Sequence, residues 1–171
     1  MEKYKMLVIS DSHGYSELAR EAIEKEKPFD MLIHCGDLEG TISSITGEGP
    51  TYDVKVVRGN CDNGNSLPID EEFKAGFFKV WVNHGNKYNV KYENKLNTLI
   101  AAAKSRCADI VFFGHSHFAE VYKDSETGIV CINPGCIGNP KMSGNKSTYA
   151  VVIVSDDYEI ISEIKEIGNL L

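Results

Sequence analysis

Short apolar runs bounded by polar residues recur along the first two thirds of the chain, at lengths typical of β-strands. These runs cover residues 5–10, 31–35, 54–57, 73–82 and 110–113. Residues 17–27 and 93–106 instead repeat apolar side chains at spacings of three and four, which predicts two amphipathic helices. Because the strands alternate with helices, the pattern favours parallel βαβ units.

The last third of the chain changes to two predicted hairpins. Residues 119–122 and 129–132 flank a segment rich in turn formers, and residues 149–154 and 159–164 flank two adjacent aspartates. The whole pattern predicts an α/β fold in which two packed sheets carry helices on their outer faces. No repeat or change of composition marks a second domain, so residues 1–171 are expected to form a single one.

Chemically active side chains follow the predicted strands in a regular way. They are Asp11 and His13, then Asp37, Asn60 and His84, and finally His115 and His117. In open α/β sheets the loops at the carboxyl ends of the strands converge on one crevice. If the strands share that edge, we expect all seven side chains to meet there.

A single fragment of this kind is weak, because an Asp-x-His or His-x-His pair is usually a turn or a solvated pair. Five fragments in order, each after a strand and beside a glycine or another ligand type, are far more specific. Four of the five histidines fall inside them, and glycine allows sharp turns close to an ion. The fifth, His34, lies within an apolar run and is expected to be a buried or supporting group.

The donor types restrict the ion. Imidazole, carboxylate and carboxamide groups suit Mn²⁺, Ni²⁺, Fe²⁺, Co²⁺ or Zn²⁺ and disfavour Ca²⁺. Seven side chains are too many for one tetrahedral ion and suit two divalent ions that share a carboxylate. Two such ions bring a charge of about +4, of which Asp11 and Asp37 remove about −2 at neutral pH. The excess charge could hold a hydroxide and a phosphate ester, activate the water and polarise phosphorus.

Charge and composition exclude other classes of protein. The chain has 25 acidic and 18 basic residues and a formal net charge of −7, which argues against a protein that coats nucleic acid. No apolar run is long enough to cross a membrane, and the first residues lack the features of a secretory signal. The five cysteines form no C-x-x-C pair, so we expect reduced thiols and a cytoplasmic location.

With these motifs the sequence resembles the calcineurin-like metallophosphoesterase superfamily. The motifs are Asp11-x-His13, Gly36-Asp37, Gly59-Asn60-x-Asp62, His84-Gly85 and Gly114-His115-x-His117. The run from Arg58 to Asp62 and the short length are similar to its small YfcE-like phosphodiesterase branch. The resemblance implies a four-layer αββα sandwich with two mixed sheets and two bound ions. It assigns Asp11, His13 and His117 to one ion and Asn60, His84 and His115 to the other, with Asp37 as the bridge.

The resemblance also implies catalytic roles near the ions. Asn60 and His84 would hold the ion that receives a phosphate oxygen, and Arg58 would reach the substrate phosphate unless it is only solvated. Asp62 would orient a ligand or cap the turn. Many members of the superfamily carry a proton-donating histidine where this chain, like the YfcE-like branch, has Cys61. A thiol with a pKa of about 8.5 is a poorer acid at neutral pH, which predicts a preference for good leaving groups.

The sequence leaves three functions open. The first is a phosphodiesterase that acts on a small diester with two divalent transition-metal ions, Mn²⁺ being the expected one. The second is a phosphomonoesterase on the same site, although only Arg58 and Lys141 offer nearby cations for a dianionic ester. The third is a protein-interaction scaffold like the retromer subunit of the same fold, whose metal site is partly degraded. The sequence is also compatible with a homo-oligomer.

Overall fold

The computed structural model describes residues 2–139, 141, 144 and 146–168. The strands are β1 (Lys3–Ile9), β2 (Met31–His34), β3 (Asp53–Val56), β4 (Asp70–Ala75), β5 (Phe78–Asn83), β6 (Ile110–Phe112), β7 (Ala119–Lys123), β8 (Val130–Pro134), β9 (Ser147–Ser155) and β10 (Ile160–Ile167). The helices are α1 (Glu17–Glu26), α2 (Ser43–Thr46) and α3 (Asn97–Ser105). None of the helices in these segments is long and apolar enough to cross a membrane.

The strands form two mixed five-stranded sheets. The first has the order β10-β9-β1-β2-β3, and the second has the order β4-β5-β6-β8-β7. The three strands β1, β2 and β3 are parallel, as are β5, β6 and β8, and antiparallel strands complete each sheet. Both predicted hairpins of the last third are present as β7–β8 and β9–β10.

Alternation along the strands produces the four layers. Met6 and Val8 of β1 lie in the core between the two sheets, together with Val82 and Phe112 of the second sheet. Their neighbours in β1, beginning with Leu7, point to the opposite face and pack with α1. On the far side of the second sheet, other side chains pack with α3. The molecule is therefore the αββα sandwich that the family resemblance implies.

Residues 73–82, predicted as one strand, are divided between two. Gly76 and Phe77 form a turn, so that β4 and β5 pair as an antiparallel hairpin. Gly76 has φ +57°, a left-handed conformation that glycine adopts at low cost. The prediction was wrong because the aromatic and β-branched composition, which includes Phe77, concealed a two-residue turn within the run.

The helix predicted over residues 93–106 begins only at Asn97. Leu96, the residue before it, has φ +51° and cannot continue a right-handed helix. The Glu93 carboxylate accepts hydrogen bonds from the Thr98 backbone N–H and hydroxyl, at 2.8 and 2.6 Å. Glu93 therefore closes the start of α3 instead of belonging to it. The short helix α2 was not predicted.

A buried carboxylate ties α1 to the first sheet. Glu26 is 7% exposed, and its Oε1 accepts hydrogen bonds from Tyr149 Oη at 3.0 Å and from Lys165 Nζ at 2.8 Å. Lys5 Nζ lies 3.2 Å from the other carboxylate oxygen. Burial raises the pKa of Glu26, but bonds from Lys165, Lys5 and Tyr149 outweigh it, so the pKa is lowered.

We expect Glu26→Gln to lower the free energy of unfolding by about 2 kcal/mol at pH 7, because it removes the charge that both lysines and a buried hydroxyl share. A lowered pKa gives stability above the unfolded pKa of about 4.3, and this stability is lost as the pH falls through the folded value. Urea unfolding at pH 7 and at pH 3.5 should therefore show the variant and the unmodified chain converging in acid.

The matched control is Glu21→Gln on the same helix, whose exposed partner Lys25 Nζ lies 2.7 Å away. A surface pair of this kind contributes less than about 0.5 kcal/mol. Equal losses for the two variants would contradict the role of burial at Glu26.

Candidate metal centre

All seven predicted donor residues lie in loops at the carboxyl ends of five strands. Asp11 and His13 follow β1, Asp37 follows β2, Asn60 follows β3, His84 follows β5, and His115 and His117 follow β6. The two sheets thus present these loops at one shared edge of the sandwich. The convergence expected from the sequence is present.

The first group of donors combines Asp11, His13 and His117, whose ligand atoms lie within 4.8 Å of one another. His117 Nε2 lies 3.2 Å from Asp11 Oδ1. His13 Nε2 lies 3.7 Å from the same oxygen and 3.3 Å from His117 Nε2. The three side chains therefore direct one oxygen and two nitrogens into the same small volume.

The second group combines Asp37, His84 and His115 within the same limit of 4.8 Å. His84 Nε2 lies 3.1 Å from Asp37 Oδ2 and 3.1 Å from Asn60 Oδ1. The rings of His84 and His115 lie 5.1 Å apart, measured between centroids. The carboxamide oxygen of Asn60 therefore joins this group as a fourth donor.

Asp37 lies between the two groups. Its Oδ2 is 3.1 Å from His84 Nε2 and 3.9 Å from His13 Nε2. Its Oδ1 accepts the Cys61 backbone N–H at 2.8 Å, which fixes the carboxylate plane. One oxygen of Asp37 thus faces both groups while the other is held by the backbone.

The chemistry of these donors fits a cation. Asp11 Oδ2 accepts hydrogen bonds from the Ser10 hydroxyl at 2.6 Å and from the His115 backbone N–H at 3.2 Å. Asp11 Oδ1 is buried and has no hydrogen-bond donor among the described residues, although two imidazole rings face it. A buried carboxylate oxygen without a partner is costly, and a metal ion would relieve that cost.

Two of the histidines are held in orientation by hydrogen bonds from Nδ1, the ring nitrogen that faces away from the centre. His84 Nδ1 donates a hydrogen bond to the Cys35 carbonyl at 2.8 Å, and His13 Nδ1 donates to the Glu39 carboxylate. With Nδ1 carrying the proton, the Nε2 lone pair of each ring faces the centre. This arrangement is common for metal-binding histidines because it fixes the tautomer and the ring orientation.

Asp62 holds the loops together through three backbone hydrogen bonds. Its Oδ2 accepts the N–H groups of Asp37 and Gly59, at 2.9 and 2.8 Å, and its Oδ1 accepts the N–H of Glu39 at 2.7 Å. Asp62 therefore positions the loop that carries Asp37. Of the two roles that the sequence left open, this geometry supports orientation of a ligand.

Arg58 is engaged away from the donors. Its guanidinium group donates hydrogen bonds to the Gly64 carbonyl, at 2.8 Å, and to the side chain of Asn65. Both bonds come from Nη1, so a contact of Arg58 with a substrate phosphate would have to come from Nη2 or Nε. The structure therefore favours a role for Arg58 in shaping the loop of residues 63–65.

His34 links the first two loops beneath the donors. It is fully buried, its Nδ1 accepts the Gly36 N–H at 3.2 Å, and its Nε2 therefore carries the proton and donates to Ser12 Oγ at 2.9 Å. The Ser12 hydroxyl donates in turn to the Leu38 carbonyl at 3.3 Å. Burial lowers the pKa of His34 to about 4, so the ring is neutral. This is the supporting role expected for it.

Five of the donor residues have left-handed backbones. Asp11, His13, Asp37, His115 and His117 have φ between 47° and 67°. Residues other than glycine reach this region at a cost, and such strain concentrates at functional sites. The turns therefore bend sharply enough to bring side chains from successive loop residues to the same centre.

Charges at the site shift the ionisation of its members. Burial alone would raise the pKa of Asp37, but without a metal ion the hydrogen bond and charge of doubly protonated His84 lower it. Conversely, Asp37 and Asp11 raise the pKa of His84 against the effect of burial. Burial and then the Lys91 ammonium lower the pKa of His115 to about 4. The neutral ring of His115 is the form that binds metals.

Two residues near the centre, Glu39 and Lys91, escaped the sequence analysis. Glu39 orients His13, and the Asn133 side chain donates to the Gly114 carbonyl at 3.1 Å and to Ser116 Oγ at 2.9 Å. Lys91 is a cation near the centre that was not anticipated. The position of Glu39 two residues after Asp37 was a usable signal, whereas nothing in the spacing marks Lys91. Asn133 lies in the run of residues 132–135, which is similar to the YfcE-like branch and was expected to form a turn at the rim of the site.

Comparison with known proteins agrees with this geometry. The family model described as the calcineurin-like phosphoesterase superfamily domain matches residues 4–157. The probable metallophosphoesterase YsnB of Bacillus subtilis is 34% identical over 168 residues, which cover 96% of this chain and 92% of YsnB. Phosphodiesterase MJ0936 of Methanocaldococcus jannaschii is 28% identical and is aligned over 78% of this chain and 85% of its own length.

Two further similarities concern a solved structure and a relative of another kind. The crystal structure of a predicted phosphoesterase from Streptococcus pneumoniae superposes with a TM-score of 0.73 at 25% identity, covering 97% of this chain and 99% of that one. Vacuolar protein sorting-associated protein 29 of Schizosaccharomyces pombe is 28% identical over 91% of this chain and 80% of its own length. The fold is thus shared by proteins named for hydrolysis and by one named for sorting.

Proposed function

The chain belongs to the calcineurin-like phosphoesterase superfamily, and from this membership we propose that it is a metal-dependent phosphodiesterase with two divalent ions. The observation that carries the proposal is the position of Asp37, whose Oδ2 lies between His84 Nε2 and His13 Nε2. Two groups of donors around one shared carboxylate suit two ions better than one.

The donor groups assign the ligands. Asp11, His13 and His117 would hold one ion, and Asn60, His84 and His115 would hold the other, with Asp37 shared. Ions bound there would activate a water molecule, polarise the phosphorus and stabilise the leaving oxygen. Oxygen and imidazole donors suit Mn²⁺, which we take as the expected ion, with Ni²⁺, Fe²⁺, Co²⁺ and Zn²⁺ as alternatives.

The residues of the chain would contribute orientation and a fixed arrangement of charges. Glu39 and the Cys35 carbonyl hold His13 and His84 with their Nε2 atoms toward the centre. Asp62 fixes the backbone of Asp37 through its amide. A site held in this way needs little reorganisation when the substrate arrives, which is the main source of electrostatic catalysis.

A diester is favoured over a monoester because few cations are available for a second negative charge. The Arg58 guanidinium is bound to Gly64 and Asn65, and Lys91 is the cation whose charge reaches His115 and His117. Phosphodiesterase MJ0936 is a relative named for the same reaction.

The test is to measure the metal content of the purified protein and its rates on bis(p-nitrophenyl) phosphate and on p-nitrophenyl phosphate. Two equivalents of metal and faster hydrolysis of the diester are expected. Faster hydrolysis of the monoester would favour a phosphomonoesterase. Metal-loaded protein that hydrolyses neither ester would favour a scaffold role, which is suggested by the similarity to the vacuolar sorting protein.

The cysteine at position 61 predicts that the rate of hydrolysis depends strongly on the leaving group of the ester. Without metal ions, burial and then the Asp37 carboxylate raise the pKa of its thiol to about 11, and a thiol at its ordinary pKa of about 8.5 is still a weak acid at neutral pH. We expect hydrolysis of methyl p-nitrophenyl phosphate, which releases nitrophenolate, to exceed that of dimethyl phosphate by at least about 100-fold, the lower range of general-acid effects. Equal rates on the two esters would contradict the absence of a strong acid.

The compartment is also a proposal. Cys35, Cys61, Cys107 and Cys131 are free thiols, two of them buried and two exposed. Unpaired cysteines in this number suit a reducing compartment, so we place the protein in the cytoplasm.

A further inference from the structure

A groove lies beside the candidate metal centre, between two segments that each follow donor residues in sequence. One wall comes from the loop that begins with His84 and includes Val90 and Lys91, and the other comes from the segment that follows His115. The groove has a volume of about 500 Å³, which is within the range of sites for small organic ligands. Because Ser116 lies between His115 and His117 in sequence and lines the groove, the groove adjoins the candidate metal centre.

An exposed aromatic ring stands in this groove beside the donors. Phe118 follows His117 directly in sequence, lines the groove and is 77% exposed. A single exposed apolar side chain is common on protein surfaces and means little alone. Its position in a groove beside the donor cluster is what gives Phe118 significance, because an exposed ring is a stacking platform for a planar group.

Polar groups along the groove have unused hydrogen-bonding capacity. Ser116 Oγ accepts hydrogen bonds from Asn133 Nδ2 at 2.9 Å and from the Phe118 N–H at 3.3 Å, so its hydroxyl proton remains for a further acceptor. Glu120 is a partly buried carboxylate and can accept a hydrogen bond. A carboxylate in the groove disfavours an anionic group and suits a neutral one with N–H or O–H donors.

Lys91 forms no ion pair with any carboxylate among the described residues, although Glu93 lines the same groove. The carboxylate of Glu93 is instead held by Thr98, at the start of α3. The Lys91 ammonium is therefore available to a phosphate at the mouth of the groove.

We propose that this groove binds the alcohol portion of a nucleotide-type diester, with the planar base stacked on Phe118, its donors toward Glu120 and Ser116, and Lys91 near the phosphate. The proposal rests on the proposed phosphodiesterase function and narrows its substrate class. It makes Phe118 a specificity-determining residue and gives Lys91 a contact that does not depend on the alcohol.

Calorimetric titration of the Mn²⁺-loaded protein with thymidine 5′-monophosphate and with methyl phosphate tests the proposal, because only the first ligand carries a base. We expect the thymidine ligand to bind about tenfold more tightly, in the range of base–aromatic stacking. Phe118→Ala should remove this difference and leave methyl phosphate unaffected, whereas Phe118→Tyr should retain it. Lys91→Met should weaken both ligands by the same factor.

The control is Phe77→Ala, another exposed phenylalanine, which stacks on Tyr158 at the opposite end of the sandwich and should change nothing. Equal affinities of the unmodified chain for the two ligands, an unchanged ratio of the two affinities in Phe118→Ala, or no binding of either ligand would overturn the groove proposal.

Hydrolysis of bis(p-nitrophenyl) phosphate by the same preparation is measured separately. Loss of the affinity difference with hydrolysis intact rejects the groove alone, and absent hydrolysis rejects the proposed function.

Discussion

Asp37→Ala is expected to reduce hydrolysis of bis(p-nitrophenyl) phosphate by more than about 100-fold, because even residues that only support a metal ligand account for 10- to 100-fold. The carboxylate contacts both donor groups, with Oδ2 3.1 Å from His84 Nε2 and 3.9 Å from His13 Nε2. Its loss should therefore lower the affinity for both ions. Rates and bound metal, measured by elemental analysis after dialysis, should fall together.

The matched control is Asp156→Ala, which removes a carboxylate from the opposite edge of the first sheet, where it accepts the exposed Glu2 N–H. That variant should keep its metal and its rate.

Asn60→Ala should resemble Asp37→Ala in rate but lose metal mainly from the second group, because Asn60 Oδ1 lies near His84 and not near His13 in the proposed ligand set. Retained hydrolysis in either variant at the site would remove the enzymatic role of these residues.

Gly114→Ala is expected to disable the site although glycine contributes no functional group. A methyl group at this position would lie 2.1 Å from Ser10 Oγ and 2.6 Å from Asp11 Oδ2. The hydroxyl and the carboxylate form the 2.6 Å hydrogen bond that orients Asp11, so both would have to move. We expect metal affinity and activity to fall by at least about tenfold, as for other groups that support a ligand, with a loss of unfolding free energy of about 1–3 kcal/mol from overpacking.

Gly40→Ala is the appropriate comparison for that substitution. A methyl group there would approach nothing closer than the Leu38 carbonyl at 3.9 Å, and its backbone lies outside the left-handed region. Its metal affinity, activity and urea unfolding should match those of the unmodified chain. If Gly114→Ala behaves like Gly40→Ala, the close approach of the two loops does not matter for the site.

Most of the fold follows from local patterns in the sequence. The strands β1 and β2 are continuous apolar runs because both of their faces are covered, and such runs are conspicuous. The division of residues 73–82 by Gly76 was missed because one residue set the turn. The start of α3 was missed because Glu93 belongs to the cap and Leu96 to a left-handed turn, a conformation that hydrophobic periodicity does not report.

The donor set was predictable because each donor follows a strand within five residues of its end, so the sheet topology alone brings the set together. Supporting contacts were harder to predict because they depend on side-chain directions between loops that are far apart in sequence. Asp62 illustrates this: its carboxylate could cap any turn, but three N–H groups from two loops converge on it. Arg58 illustrates the reverse, since a cation beside the motif is bound to its own loop.

The left-handed backbones of the donor residues affect how the site would evolve. Each of the five carries a conformational cost of roughly 1 kcal/mol or more, which glycine at the same position would avoid. The fold would thus gain stability by discarding the very side chains that serve chemistry. In a lineage where selection for hydrolysis relaxed, drift would erode these positions first and leave the sandwich itself intact, free to acquire another use.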